Sequence, residues 1–276
     1  MSINPNVKRI SSDSDLTTYY AQQKTETNRI LVVPDPINQR GSVVKIYRHT
    51  DDPQVGSGYR QEIRRDVFVS EYALKTGGGI YWTSYMFSPE WKEKYPLLIT
   101  ENPGTHYDII IKQFHPRNID GFTHPKFSVA VTEEGVILRK WGLADASENS
   151  VADAYTVMAT WPVDSMVWHD VVFGVVWTTD STGIYYVWLD HKLIYKEYTQ
   201  TIYSGASAGC WYSEGIYSPG GYPSGLDELT IYVQGYKQGY RNGTSYYDVV
   251  GQYPPSYQIE ARSIGTRTVD IKRGVS

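Results

Sequence analysis

The sequence holds one cysteine, Cys210. That excludes an internal disulfide framework and any multi-cysteine zinc site. Long apolar runs are absent as well, and none approaches the ~20 residues that a membrane-spanning helix needs. Neither charge sign dominates: 26 Lys+Arg against 30 Asp+Glu leave a net charge of −4. A general nucleic-acid or anionic-membrane surface is therefore not expected. The opening stretch MSINPNVKRISSDSD lacks the apolar segment of a secretory signal peptide. An extracellular or virion-associated protein is expected here, with a leader already removed or with export by another route. What the chain does have is aromatic residues at 14%, with 24 glycines and 14 prolines. That mixture favours strands and turns over helices.

The polar first stretch, residues 1–40, reads as an arm with one short strand at Ile30–Val33 before Pro34 and Pro36. From Ser42 the pattern is β. SVVKIYRH, YRQEIRRDVFVS, IYWTSYMF and YDIIIKQFH are strand segments, and KFSVAVTEEGVILRKW is a hairpin. Gly142–Val157 reads as a loop or short helix. Further strands follow in the WHDVVFGVVWTTDSTGIYYVWLDHKLIYKEYT stretch, in GCWYSEGIY and in LTIYVQGYKQG, and residues 241–276 form a polar extension. Roughly ten short strands with regular turns predict an all-β fold: an antiparallel β-sandwich over residues 41–240, a concanavalin-like jelly roll with a concave cleft.

Three strands carry polar residues where a buried strand would not want them. Side chains alternate across a strand. Arg60, Glu62 and Arg64 therefore share one face of YRQEIRR, and two guanidiniums beside a carboxylate suit an anionic ligand. Gln113 and His115 share a face of IIIKQFH, at the end of an otherwise apolar run. Ser213, Gly215 and Tyr217 share a face of WYSEGIY, where the glycine opens space beside the tyrosine. Taken singly, each pattern has an ordinary structural explanation: a solvated ion-paired face, a satisfied histidine, a sheet tyrosine.

In this chain order, R-x-E-x-R, Q-x-H and Y-x-x-G-x-Y together resemble the jelly-roll polysaccharide lyases. These include the alginate lyases of polysaccharide lyase family seven and the related heparin lyase I and glucuronan lyase families. The framing segments KIYRHTDDPQVGSGYRQEIRR and WHDVVFGVVWTTDSTGIYYVWLDHKLI are similar to theirs, so the resemblance runs from about Val43 to Gly239. It implies a catalytic set of Tyr217, His115, Gln113 and Arg60. Arg60 and Gln113 would neutralise the uronate carboxylate. His115 would help or act as base, and Tyr217 would protonate the leaving oxygen or serve as both acid and base. Arg64, Glu62, Ser213, Trp211 and Tyr212 would contact substrate. One position departs from the pattern: Ser213 stands where these families place a lysine, which removes a positive charge from the cleft.

The residue types fit that chemistry. The proton on C5 of a uronate leaves only if charge developing on the carboxylate is stabilised, and fixed donors such as Arg60 and Gln113 do this. A base must reach C5 and an acid the glycosidic oxygen. Histidine titrates near neutrality. A tyrosine, with an ordinary pKa of about 10, is an acid first and becomes a base beside cations. The expected partner is an acidic polysaccharide, with no nucleic acid or membrane, and no catalytic cofactor or metal is required. A structural calcium is an option at the turn Asp51-Asp52. The competing readings are a non-catalytic carbohydrate-binding jelly roll and a retaining hydrolase. The latter lacks a strand presenting two carboxylates at the required spacing.

Overall fold

The computed structural model describes residues 7–8, 21–23, 29–49, 51–55, 58–66, 78–91, 109–116, 125–132, 135–141, 155–202, 210–218, 228–240, 257–261 and 269–273. Seventeen strands run through them: β1 (Val7–Lys8), β2 (Ala21–Gln23), β3 (Ile30–Pro34), β4 (Ser42–His49), β5 (Tyr59–Asp66), β6 (Gly78–Phe87), β7 (Ile109–Pro116), β8 (Phe127–Thr132), β9 (Gly135–Trp141), β10 (Tyr155–Trp161), β11 (His169–Val176), β12 (Ile184–Leu189), β13 (Lys192–Tyr198), β14 (Cys210–Ser218), β15 (Glu228–Tyr240), β16 (Tyr257–Ala261) and β17 (Val269–Arg273). Two antiparallel sheets form a sandwich. The first runs β13-β12-β11-β6-β15-β4-β3, with β1 also against β15; the second runs β10-β9-β8-β7-β14-β5-β2. β16 and β17 pair with each other.

The hydrophobic pattern explains the layers. β4 alternates in burial as a sheet strand with one face on the core does. β8 and β11 are buried along almost their whole length; Phe127, Val129 and Val131 of β8 and Val171, Phe173 and Val175 of β11 point into the core. Between the sheets, Phe114 of β7 meets Phe173 of β11 edge-on at 5.3 Å. Phe127 of β8 lies over Tyr185 of β12. Such ring pairs add to what burial of the rings already contributes. The β4–β5 crossover between the sheets is tied at buried Asp52, which takes Arg29 at 2.6 Å and Arg48 at 3.0 Å. No helix among the described residues is long and apolar enough to cross a membrane.

The sandwich and most strands match the sequence reading, with three differences. The stretch read as a loop or short helix, Gly142–Val157, runs into β10. That strand is at the sheet edge and half-exposed, so its apolar alternation is faint. The strand expected at Ile30–Val33 is β3, but the first forty residues also contribute β1 and β2 to the sheets, and the polar tail contains the β16–β17 hairpin.

Candidate active site

β14 lies between β5 and β7 in the second sheet, and its registers decide which side chains meet. Against β5, Tyr217 sits opposite Arg60, Gly215 opposite Glu62 and Ser213 opposite Arg64. Against β7, Ser213 sits opposite Gln113 and Trp211 opposite His115. Directly opposed residues of an antiparallel ladder share a face. All of these side chains therefore occupy the outer face of the sheet, away from the core.

Glu62 is the hub of this strip. Its Oε1 accepts hydrogen bonds from Gln113 Nε2 at 2.9 Å and from Ser213 Oγ at 2.7 Å. Its Oε2 faces Arg60 Nη1 at 3.6 Å. Arg60 in turn lays its guanidinium on the Tyr217 ring, 4.0 Å from the centroid. Glu62 is 1% exposed. Burial pushes its carboxyl above the usual glutamate range, while Arg60, Ser213, Gln113 and Arg64 draw it back. The contacts fix the Gln113 amide with its nitrogen toward Glu62, and Gln113, like Glu62 and Ser213, is buried.

His115 belongs to the other end of the strip. It stacks on Trp211 at 4.6 Å with the rings 4° from parallel, and Arg64 lies 5.4 Å from the Trp211 ring. Of the nine residues expected at the site, eight thus share this face. The exception is Tyr212. It is 0% exposed, stacked on Phe114 at 4.5 Å between the sheets. A residue one position from Trp211 and Ser213 must point the other way in a strand, so Tyr212 is a core residue rather than a substrate contact.

A family profile described as Polysaccharide lyase matches residues 12–250. The chain belongs to that family. No curated protein matches the lyase by sequence. Among solved structures, an endo-β-1,4-glucuronan lyase from the fungus Trichoderma reesei superposes with a TM-score of 0.60 at 16% identity, covering 88% of this chain and 96% of that one. The family 7 alginate lyase A1-II′ in complex with substrate gives 0.53 at 11% identity, covering 87% and 98%. Alginate lyase AlyC3 in complex with dimannuronate gives 0.52 at 11%, covering 72% and 76%. At these identities the likeness is one of fold, the jelly-roll sandwich.

Sequence reasoning passed over several groups that shape this strip. Gly58 is the seat of the tyrosine: a Cβ there would fall 2.4 Å from Cε2 of Tyr217. Ile110, Ala130 and Ile137 form an apolar patch against the same ring. Farther along the same face, Ser128 lies opposite both Gln113 and Arg139. Arg139 donates to Ser128 at 2.8 Å and lies 5.3 Å from the Trp141 ring and 4.9 Å from the Tyr155 ring. The alternation of VILRKW carries that signal, but nothing in a plain hairpin sequence marks it as part of a site.

At the Asp51-Asp52 turn, the option for a structural calcium, the Asp52 carboxylate is already held by protein groups. Asp52 is engaged by two guanidiniums, by the His49 amide at 3.0 Å and by Gln61 at 3.3 Å. Among the described residues no cluster of His, Cys, Asp and Glu forms a metal-ligand set.

Proposed function

We propose that the protein cleaves an acidic polysaccharide of 1,4-linked uronates by syn β-elimination, with Tyr217 as the proton-transfer group. The observation that carries this reading is the Arg60–Tyr217 contact at 4.0 Å, joined through Glu62 to Gln113 on one face of the sheet. Arg60 and Gln113 address the carboxylate. Negative charge spreads onto it as the C5–H bond breaks, and fixed donors stabilise that charge without reorganising. The C5–H electron pair becomes the C4–C5 double bond, the C4–O bond breaks, and the leaving oxygen takes a proton. The product carries a 4,5-unsaturated uronate end.

The register supports Tyr217, rather than His115, beside the reacting bond. Tyr217 is opposite Arg60, while His115 is opposite Trp211 at the far end of the strip. One group can take the C5 proton and return it to O4 only if both lie on the same side of the ring. Glucuronate and mannuronate have that configuration; guluronate does not. The substrate named for the fungal relative, glucuronan, belongs to the first class. His115, on Trp211, is a wall for a neighbouring sugar and its charge. Such polymers are found in capsules and exopolysaccharides, which suits an extracellular or virion-borne depolymerase.

The test is a substrate panel of glucuronan, mannuronate-rich alginate and guluronate-rich alginate, followed by absorbance of the unsaturated uronate. The expected result is absorbance rising with the first two and little with the third. Reducing ends without absorbance would mean hydrolysis, and binding without either would mean a lectin-like protein. Preference for guluronate blocks would overturn the syn assignment.

A further inference from the structure

Beneath the strip, on the core side, Lys112 of β7 and Glu214 of β14 form a hydrogen-bonded ion pair that the elimination does not use. Both are buried. The Thr83 hydroxyl of the opposite sheet contacts Lys112 Nζ. The Tyr212 hydroxyl lies 3.3 Å from Glu214 Oε1, and the Tyr85 ring 5.5 Å from Lys112 Nζ.

The place of this pair in the ladder sets it apart. Glu214 opposite Lys112 is the last regular step between β14 and β7; the next registered pair is Tyr217 with Ile110, so β14 carries an extra residue. One strand over, Lys112 pairs Val129 and Ile110 pairs Ala130, so β7 carries an extra residue too. Two bulges thus lie side by side, immediately after the ion pair. They turn Ile111 into the core and Ile110 out toward Tyr217. Bulges re-aim side chains in this way next to active sites. On the β5 side, Gly215 at φ +149° locks the strand, because a Cβ there would meet Gln61 O at 2.1 Å. On the β7 side, the ion pair occupies the equivalent position.

Stability does not account for it. Two charges taken out of water lose several kcal/mol of hydration each, and well-packed apolar residues are usually as good or better. The best-attested use of such groups is to select one register over its neighbours. We infer that Lys112 and Glu214 are positioning residues for Tyr217, pinning β14 to β7 so that the paired bulges seat Ile110 behind the ring that the β5 register holds opposite Arg60. The inference rests on the catalytic reading of Tyr217.

The test replaces the pair by apolar residues, Lys112→Met with Glu214→Leu. Glu214→Leu alone strands a buried ammonium and lowers Tm. The double variant is expected to melt at or above the wild-type Tm. Its kcat on glucuronan should fall about 10- to 100-fold, the scale of a misplaced reacting group, with KM unchanged within about twofold. Amide hydrogen exchange should rise at Gly215 and Ile216 and not across the rest of the sheet. A double variant with wild-type kcat and wild-type exchange there overturns the inference. So does one that loses Tm, kcat and KM together. Should the wild type leave glucuronan and alginate uncut, the lyase reading fails by itself and the exchange at Gly215 and Ile216 alone decides the register claim.

Discussion

At the scale of single residues, the account divides labour between a phenol, two carboxylate-binding donors and a buried acid that holds them. Tyr217→Phe should cut turnover by about 10²-fold or more, as loss of a general acid or base does. Binding of a glucuronate oligosaccharide, read by calorimetry, should stay near wild type; a variant that still turns over normally removes Tyr217 from the mechanism. His115→Ala should raise KM more than it lowers kcat. Glu62 has a signature of its own. Its carboxyl takes up a proton more readily in the folded chain than in the unfolded one. The stability this contributes is present below about pH 4.3, the unfolded value, and is lost as pH rises through the higher folded value. Melting followed from about pH 4 to pH 7 should therefore fall less steeply for Glu62→Gln than for the wild type. Equal slopes would show that Glu62 titrates as an ordinary carboxylate.

At the scale of elements, period-two alternation made much of the site legible. It put Arg60 with Glu62 and Arg64, Gln113 with His115, and Ser213 with Tyr217 on common faces, and the ladder joins those faces into one. The same rule excludes Tyr212, whose neighbours on both sides point outward. The paired bulges were not legible, because an extra residue in β7 or β14 exists only relative to its partner strand. For that reason Ile110, not Ile111, backs Tyr217. Nor was the use of Gly58 legible, since the ring it makes room for lies on another strand. β10 hid for a different reason: an edge strand with both faces partly wet has little hydrophobic contrast. Gly58→Ala tests the element-level packing. Its methyl group pushes the Tyr217 ring off its seat, so kcat should drop about tenfold or more. A Gly58→Ala enzyme with unchanged kcat would mean that the ring position is not set by this contact.

At the scale of the whole molecule, the chain carries a net charge of −4, so the proposed polyanionic substrate would have to be met by local cations such as Arg60 and Arg64, which face β14 on one side of the sheet. Long-range repulsion opposes the encounter and short-range pairing rewards it. The exposed part of that attraction is screened within about 8 Å at physiological salt. KM for a long uronate polymer should therefore rise between about 0.05 and 0.5 M NaCl, while kcat changes little. A salt-independent KM would point to sugar-ring contacts alone. Fold and electrostatics together rest on one geometric claim: the uronate at the cleavage point docks its carboxylate between Arg60 and Gln113, with C5 and O4 toward Tyr217. A crystal structure of the Tyr217→Phe variant with a glucuronate tetrasaccharide measures this directly. The account predicts a carboxylate within hydrogen-bonding distance of both Arg60 and Gln113, and the ring of residue 217 against the C4–C5 edge. A chain bound with that carboxylate elsewhere, or with His115 instead of residue 217 against C5, would contradict it.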